Sequence, residues 1–247
     1  MTKLKMESTT RTLVDLAEEA IFLYIKERKL KPGEKILFDE YQLAGELNVS
    51  RNVVREALSR LHSFGIIDSR KRKGMVLKEP DLKKNMTKII DPEIYSKEKN
   101  IDLLELRYIL EIGIIPSLFE NIREKDINEL KHILPAEIAA SNNRLSIENE
   151  IRFHSRIYKI VDNQIIMDMQ ELLIPVYRFV YDNYADFDAF NDKIKRENLQ
   201  ATHADIVEAL SKRDKILYRD VIERHLLAYQ LYLKEQKLKK RNESNEV

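Results

Sequence analysis

Apolar residues recur at three- and four-residue spacing through most of this chain, the mark of amphipathic helices. Leu13, Leu16, Ala17, Ala20, Ile21, Tyr24 and Ile25 line one face of a first predicted helix over 12–29, which Lys31-Pro32-Gly33 stops. Asp39 is placed to cap a second helix through residue 47, and Ser50 to cap a third over 51–64 that Gly65 closes. The period then changes. Residues 66–69 and 75–77 read as two short strands, with 70–74 as the tip of a hairpin. Residues 79–100 are polar, carry Pro80 and Pro92, and read as a linker with room for a short helix. From Ile101 the helical period returns, with predicted helices over 101–121, 124–140, 145–161, 164–184, 190–212 and 214–238.

This order predicts a mainly α chain in two domains. A polar start (1–8) leads into a winged helix-turn-helix (9–78), three helices plus a small β-hairpin wing. The linker (79–100) connects it to an antiparallel all-helical bundle (101–236), followed by a charged tail (237–247). Five Gly and six Pro in 247 residues, with 34% charged residues, fit helices and disfavour a sandwich or barrel. Neither a G-x-G-x-x-G nor a G-x-x-x-x-G-K-[ST] pattern occurs, which argues against a glycine-rich nucleotide loop. The absence of cysteine excludes a disulfide scaffold and thiolate chemistry. No run approaches the roughly 18 apolar residues of a membrane span, and the start has no signal-peptide core. The expectation is a cytoplasmic protein without a membrane partner.

Net charge is only +1, but it is unevenly spread. Residues 1–90 hold 19 Lys+Arg against 13 Asp+Glu, and the remainder 24 against 29. A basic front half suits a polyanion. A recognition helix presents its first turn to base edges in the major groove, and here that turn is Ser50, Arg51 and Asn52. Arg55 lies one turn beyond Arg51 on the same face, and an arginine fork matches guanine O6/N7 or a phosphate. Val54, Ala57, Leu58 and Leu61 fall on the opposite, core-facing side. Lys71, Arg72 and Lys73 at the hairpin tip offer a basic wing to the backbone or an adjacent groove.

These residues resemble the GntR-type DNA-binding domain. The likeness runs from Leu30-Lys31-Pro32-Gly33 to Gly65-Ile66-Ile67 and rests on Val49-Ser50-Arg51 and Val54-Arg55-Glu56-Ala57-Leu58. It implies that Arg51 and Arg55 contact DNA. Two positions depart from the family's pattern. Tyr41 stands where an arginine on the second helix is usual, and Arg72 replaces the first glycine of the wing's Gly-x-Gly, leaving Gly74.

A second constellation involves three of the chain's five histidines and one glutamate. Glu150 and His154 are four apart and share a helix face, while His203 and His225 fall on later helices. One carboxylate and three imidazoles suit zinc first, and also nickel, manganese or iron(II). On spacing alone the pair is more often an ordinary hydrogen bond on a helix face than a metal site. The back domain resembles the FCD ligand-sensing domain of FadR-like GntR regulators, through Leu106-Arg107-x-x-Leu110-Glu111, Glu150-x-x-Phe153-His154 and the two later histidines. The resemblance implies a metal held by His154, His203 and His225, with Glu150 where an aspartate is usual. It places Arg107 near the pocket, free to pair with an effector carboxylate. The other reading of Arg107 is an ion pair with Glu111. His62 and His132 read as ordinary, and Tyr177, Tyr181 and Tyr184 as core or pocket wall.

The expected function is a homodimeric, ligand-responsive transcription regulator, read as a repressor. It would bind a near-palindromic double-stranded operator and sense a small carboxylate or sugar acid through a divalent metal. The alternatives are a regulator that answers to the metal itself, or a metal-dependent hydrolase fused to a DNA-binding head. The hydrolase reading lacks an H-E-x-x-H motif and a placed general base.

Overall fold

The computed structural model describes residues 11–70, 74–134, 147–197 and 199–245. The chain divides into two compact units, Met1–Asn85 and Met86–Val247.

In the first unit, α1 (Leu13–Glu27), α2 (Glu40–Leu47) and α3 (Arg51–Ser63) each begin on a side-chain cap. Thr12 and Asp15 form a capping box on α1, and Asp39 and Gln42 form one on α2. Ser50 Oγ accepts from the Val53 N–H at 3.3 Å. The turn between α2 and α3 depends on Asn48, whose φ of 51° lies in the left-handed region that asparagine tolerates. Ile21, Val54, Ala57 and Leu61 are almost fully buried and knit α1 to α3. Strands β1 (Ile67–Arg70) and β2 (Gly74–Leu77) pair antiparallel, Ile67 opposite Leu77 and Arg70 opposite Gly74. The segment after α1 adds a third edge: Lys35 bridges to Val76, and the Ile36 N–H donates to the Met75 carbonyl at 2.8 Å. Helices and hairpin thus follow the predicted order, with bounds shifted by one or two residues.

A short α4 (Leu82–Met86) falls in the stretch read as linker. The second unit contains α5 (Lys97–Gly113), α6 (Ile115–Asn121), α7 (Glu124–Ile133), α8 (Ile147–Ile160), α9 (Gln164–Asn183), α10 (Ala185–Arg196), α11 (His203–Ser211), α12 (Lys215–His225) and α13 (Leu227–Asn245). Helix α5 packs on α9 and α13, α8 on α7 and α9, and α11 on α7 and α12. Leu118, Phe153, Ile157, Val180, Tyr218 and Tyr232 lie in its apolar core.

Several predicted helices are shorter or divided. The one over 101–121 begins earlier, on the Ser96 cap, and breaks at Ile114, where Pro116 near the start of α6 supplies no N–H. The one over 190–212 is two helices, because a capping box of Thr202 and Asp205 starts α11 afresh. The one over 214–238 turns at Leu226, and its second part runs to Asn245 through the predicted tail. Residues 135–146, which include the end of one predicted helix and the start of the next, lie outside the described residues.

Leu61→Ala should weaken the first unit by about 2–5 kcal/mol, the cost of a large-to-small change at a fully buried site. Urea unfolding of the variant checks this, and an unchanged midpoint would mean that the α1–α3 core does not limit stability.

Candidate metal centre and nucleic-acid interface

Glu150 and His154 sit one turn apart on α8, His203 is the first residue of α11, and His225 is the last of α12. Three helices therefore aim into one point of the core. Glu150 Oε1 lies 3.2 Å from His154 Nε2, and Oε2 lies 3.2 Å from His203 Nε2. His225 Nε2 is 3.3 Å from His154 Nε2 and 3.8 Å from Glu150 Oε1. One ligand atom from each of the four residues falls within 4.8 Å of all the others. The three histidines are buried, and the Glu150 side chain is 15% exposed. Three imidazole nitrogens and a carboxylate oxygen, gathered in the core of the helical unit, form a donor set that can hold a divalent ion.

The electrostatics are those of a site built around positive charge. Burial alone would raise the carboxyl pKa of Glu150, but His203 and His154 outweigh it and hold the group well below the usual carboxylate range. Burial alone would lower His154, but Glu111 and Glu150 on either side of its ring lift it to about 9. His225 goes the other way, lowered by burial and by His203. Its Nδ1–H donates to the Ala201 carbonyl at 3.0 Å, which leaves Nε2 as the atom facing the centre.

Arg107 from α5 lies beside this cluster, buried, with Nη2 3.8 Å from Glu150 Oε1. Its guanidinium stacks over the Tyr177 ring at 3.9 Å, and Nη1 donates to the Tyr229 hydroxyl at 3.3 Å. Glu111 is 3.9 Å away, at the edge of an ion pair. Burial works against its charge, yet Tyr229, Tyr177 and the two glutamates hold the arginine firmly protonated. Sequence reasoning missed Tyr229 and the Ala201 carbonyl, which come from distant helices and carry no local signal. It gave Glu111 only as a partner for Arg107, whereas its closest contact is His154.

In the first unit, Arg51, Asn52 and Arg55 are exposed on α3. Ser50 Oγ is occupied as a cap acceptor, although its hydroxyl can still donate. Arg55 has a partner that the sequence did not suggest: Glu40, at the start of α2, lies 3.4 Å from its Nη2. Tyr41 is 75% exposed on the first turn of α2. Lys71, Arg72 and Lys73 lie outside the described residues. Gly74 has a φ of +71°, and a side chain there would also meet Lys35 at 2.9 Å. His62 is exposed at the end of α3, 3.8 Å from Asp68, and His132 is exposed on α7.

The model of the bacterial regulatory proteins of the gntR family matches residues 15–77, and the FCD domain model matches residues 102–228, half of the chain. The chain belongs to the GntR family of regulators, in its FCD branch. This GntR regulator is 32% identical over 145 residues to the HTH-type transcriptional regulator LutR of Bacillus subtilis, covering 58% of this chain and 65% of LutR, just under two thirds of its length. It is 29% identical over 213 residues to YcbG of the same organism, an HTH-type transcriptional regulator, covering 85% of this chain and 86% of that one. A solved GntR of Streptococcus agalactiae is 19% identical, with a TM-score of 0.45 over 90% of this chain and 99% of that one. The sequence relatives are transcriptional regulators rather than enzymes, so the chain is a DNA-binding transcription regulator. Among the described residues, no helix is long and apolar enough to cross a membrane.

Two outcomes are expected. Arg51→Ala should weaken operator binding by about 1–3 kcal/mol in a gel-shift titration if the side chain reads a base, and unchanged affinity would remove it from the interface. If the cluster holds a metal ion, His203→Ala should lower the bound metal, measured by elemental analysis after dialysis against zinc. Wild-type stoichiometry in that variant would discount the four-residue centre.

Proposed function

We propose that this regulator is a homodimeric, effector-responsive repressor whose FCD domain holds a divalent metal, zinc first, and uses it with Arg107 to bind a small carboxylate or sugar acid. The observation that carries this reading is the placement of a buried, protonated arginine 3.8 Å from a carboxylate that three imidazole nitrogens also face. With a divalent ion seated among neutral imidazoles, Glu150 and Glu111 supply two negative charges. The ion and Arg107 supply three positive ones. An anionic effector removes the imbalance, and a neutral one does not. When bound, the metal supplies a Lewis-acidic anchor for a carboxylate oxygen. The chain's own residues do the selecting. Arg107 offers a fork for the second oxygen, its plane already fixed against Tyr177 and its Nη1 steered by Tyr229. Tyr177 and Tyr229 also wall the arginine off from water, which strengthens a charge-assisted bond.

In the DNA-binding unit, Ser50, Arg51, Asn52 and Arg55 would present the first turns of α3 to a major groove, with Tyr41 beside them and Lys71, Arg72 and Lys73 on the wing. A two-fold dimer would read two half-sites of a near-palindrome. For an effector to act on this, it must bind one dimer arrangement more tightly than another.

The test is a thermal-shift screen of zinc-loaded protein against small hydroxy acids, dicarboxylates and sugar acids, repeated after chelation. A binder present at 100 times its Kd should stabilise by about 2.7 kcal/mol. The reading requires a stabilising acid whose effect vanishes with chelator. If no acid stabilises and chelation changes nothing, the centre is not an effector site. If zinc alone switches operator binding, the ion is the signal.

A further inference from the structure

We propose that Glu111 is the positioning residue of the metal centre, holding His154 with its proton on Nδ1 so that Nε2 is offered to the ion. The inference rests on the metal reading above and deepens it. Glu111 is 1% exposed, on the inward face of α5, and ionised carboxylates survive such burial only with a partner. Arg107, one turn before it on α5, reaches it only at 3.9 Å. The nearest partner is His154 Nδ1, at 3.0 Å and off the line of a straight hydrogen bond. The hydroxyls of Tyr158 and Tyr218 are buried as well, and the charge of Glu111 adds to burial in pushing their pKa values up.

An imidazole ligand has one lone pair to give and one proton to place. A proton on Nε2 of His154 would point at the cation and remove the donor. Glu111 is ionised and accepts only, so the tautomer it favours has the proton on Nδ1. On the opposite side of the same ring, Nε2 faces Glu150 and His225. The backbone solves the same problem for His225, where the Ala201 carbonyl accepts from Nδ1–H. One histidine is thus fixed by main chain, which mutation cannot remove, and one by a side chain, which it can. Outer partners of this kind set the orientation and basicity of a ligand histidine, and their loss typically costs 10- to 100-fold in metal affinity.

The deciding variant is Glu111→Gln, which keeps the volume of the side chain but loses its acceptor-only character. Full-length protein labelled with ¹⁵N-histidine is titrated with zinc against a chromophoric chelator, and the ring nitrogens are followed by long-range ¹H–¹⁵N spectra. The expected result is a fall in zinc affinity of about 10-fold or more, with a shifted His154 Nδ1 signal and an unshifted His225 Nδ1 signal. Affinity within about twofold of wild type, with an unmoved His154 spectrum, would overturn the assignment and leave Glu111 as mere packing. If the wild-type protein takes up no zinc, the metal reading fails by itself, and the metal-free spectra then decide on Glu111: no change at His154 in the variant overturns its positioning role, and a change confined to His154 supports it. Should Glu111→Gln not fold, Glu111→Asp, which withdraws the carboxylate by one methylene, carries the same two readouts.

Discussion

Taking a carboxylate such as Glu150 out of water costs several kcal/mol unless positive or polarisable partners surround it. In the helical unit those partners are three imidazoles carried by α8, α11 and α12. The need to satisfy this group constrains much else. Helix α11 must begin at His203, which the capping box of Thr202 and Asp205 ensures. Helix α12 must end at His225, and the Ala201 carbonyl just ahead of α11 turns that ring inward. Helix α5 must then present Arg107 and Glu111 on one face, a cation beside Glu150 and an anion beside His154. The apolar layer of Phe153, Ile157 and Tyr218 keeps water from screening these charges.

The DNA-binding unit is organised on the opposite plan. Among its described residues the buried core is apolar, and the charged side chains lie outside it. Arg60 reaches from α3 to Asp15 of α1 at 2.8 Å, tying the two helices across their exposed rims, and pairs with Glu56 of its own helix at 2.9 Å. What must be accurate here is the backbone turn from α2 to α3, which Asn48 and the Ser50 cap fix within three residues. Placement of Arg51 and Asn52 follows from that turn rather than from contacts of their own.

Much of this was legible in the sequence, for reasons that differ by element. Helices α1 to α3 and the hairpin follow from local signals: apolar periodicity, caps at Asp39 and Ser50, and a glycine at 65. The divisions in the second unit were harder. Pro116 and the Thr202–Asp205 box are local signals, but the apolar period runs through both and hides them. The turn at Leu226 has neither proline nor glycine, so nothing in the sequence marks it. For the centre, spacing could place only Glu150 and His154 on one face. His203 and His225 were legible through family resemblance, since no helical period links residues so far apart. The Tyr229 hydroxyl lies 122 positions from the Arg107 it holds, and the Ala201 contact is main chain. Glu111 was visible only as an i+4 partner for Arg107, and its contact with His154, on another helix, was not.

The order in which the four donors occur along the chain has a consequence for how the domain opens. His154, His203 and His225 bracket two successive stretches that contain α9, α10, α11 and most of α12. A shared ion would close both stretches into loops at once, and the entropy removed from an opened chain grows with the logarithm of loop length. It would act as a reversible cross-link in a protein with no cysteine to make a permanent one. Segments tied in this way cannot peel off one at a time. Partial opening of the bundle, which supplies the targets for cellular proteases, would become a single event governed by release of the ion.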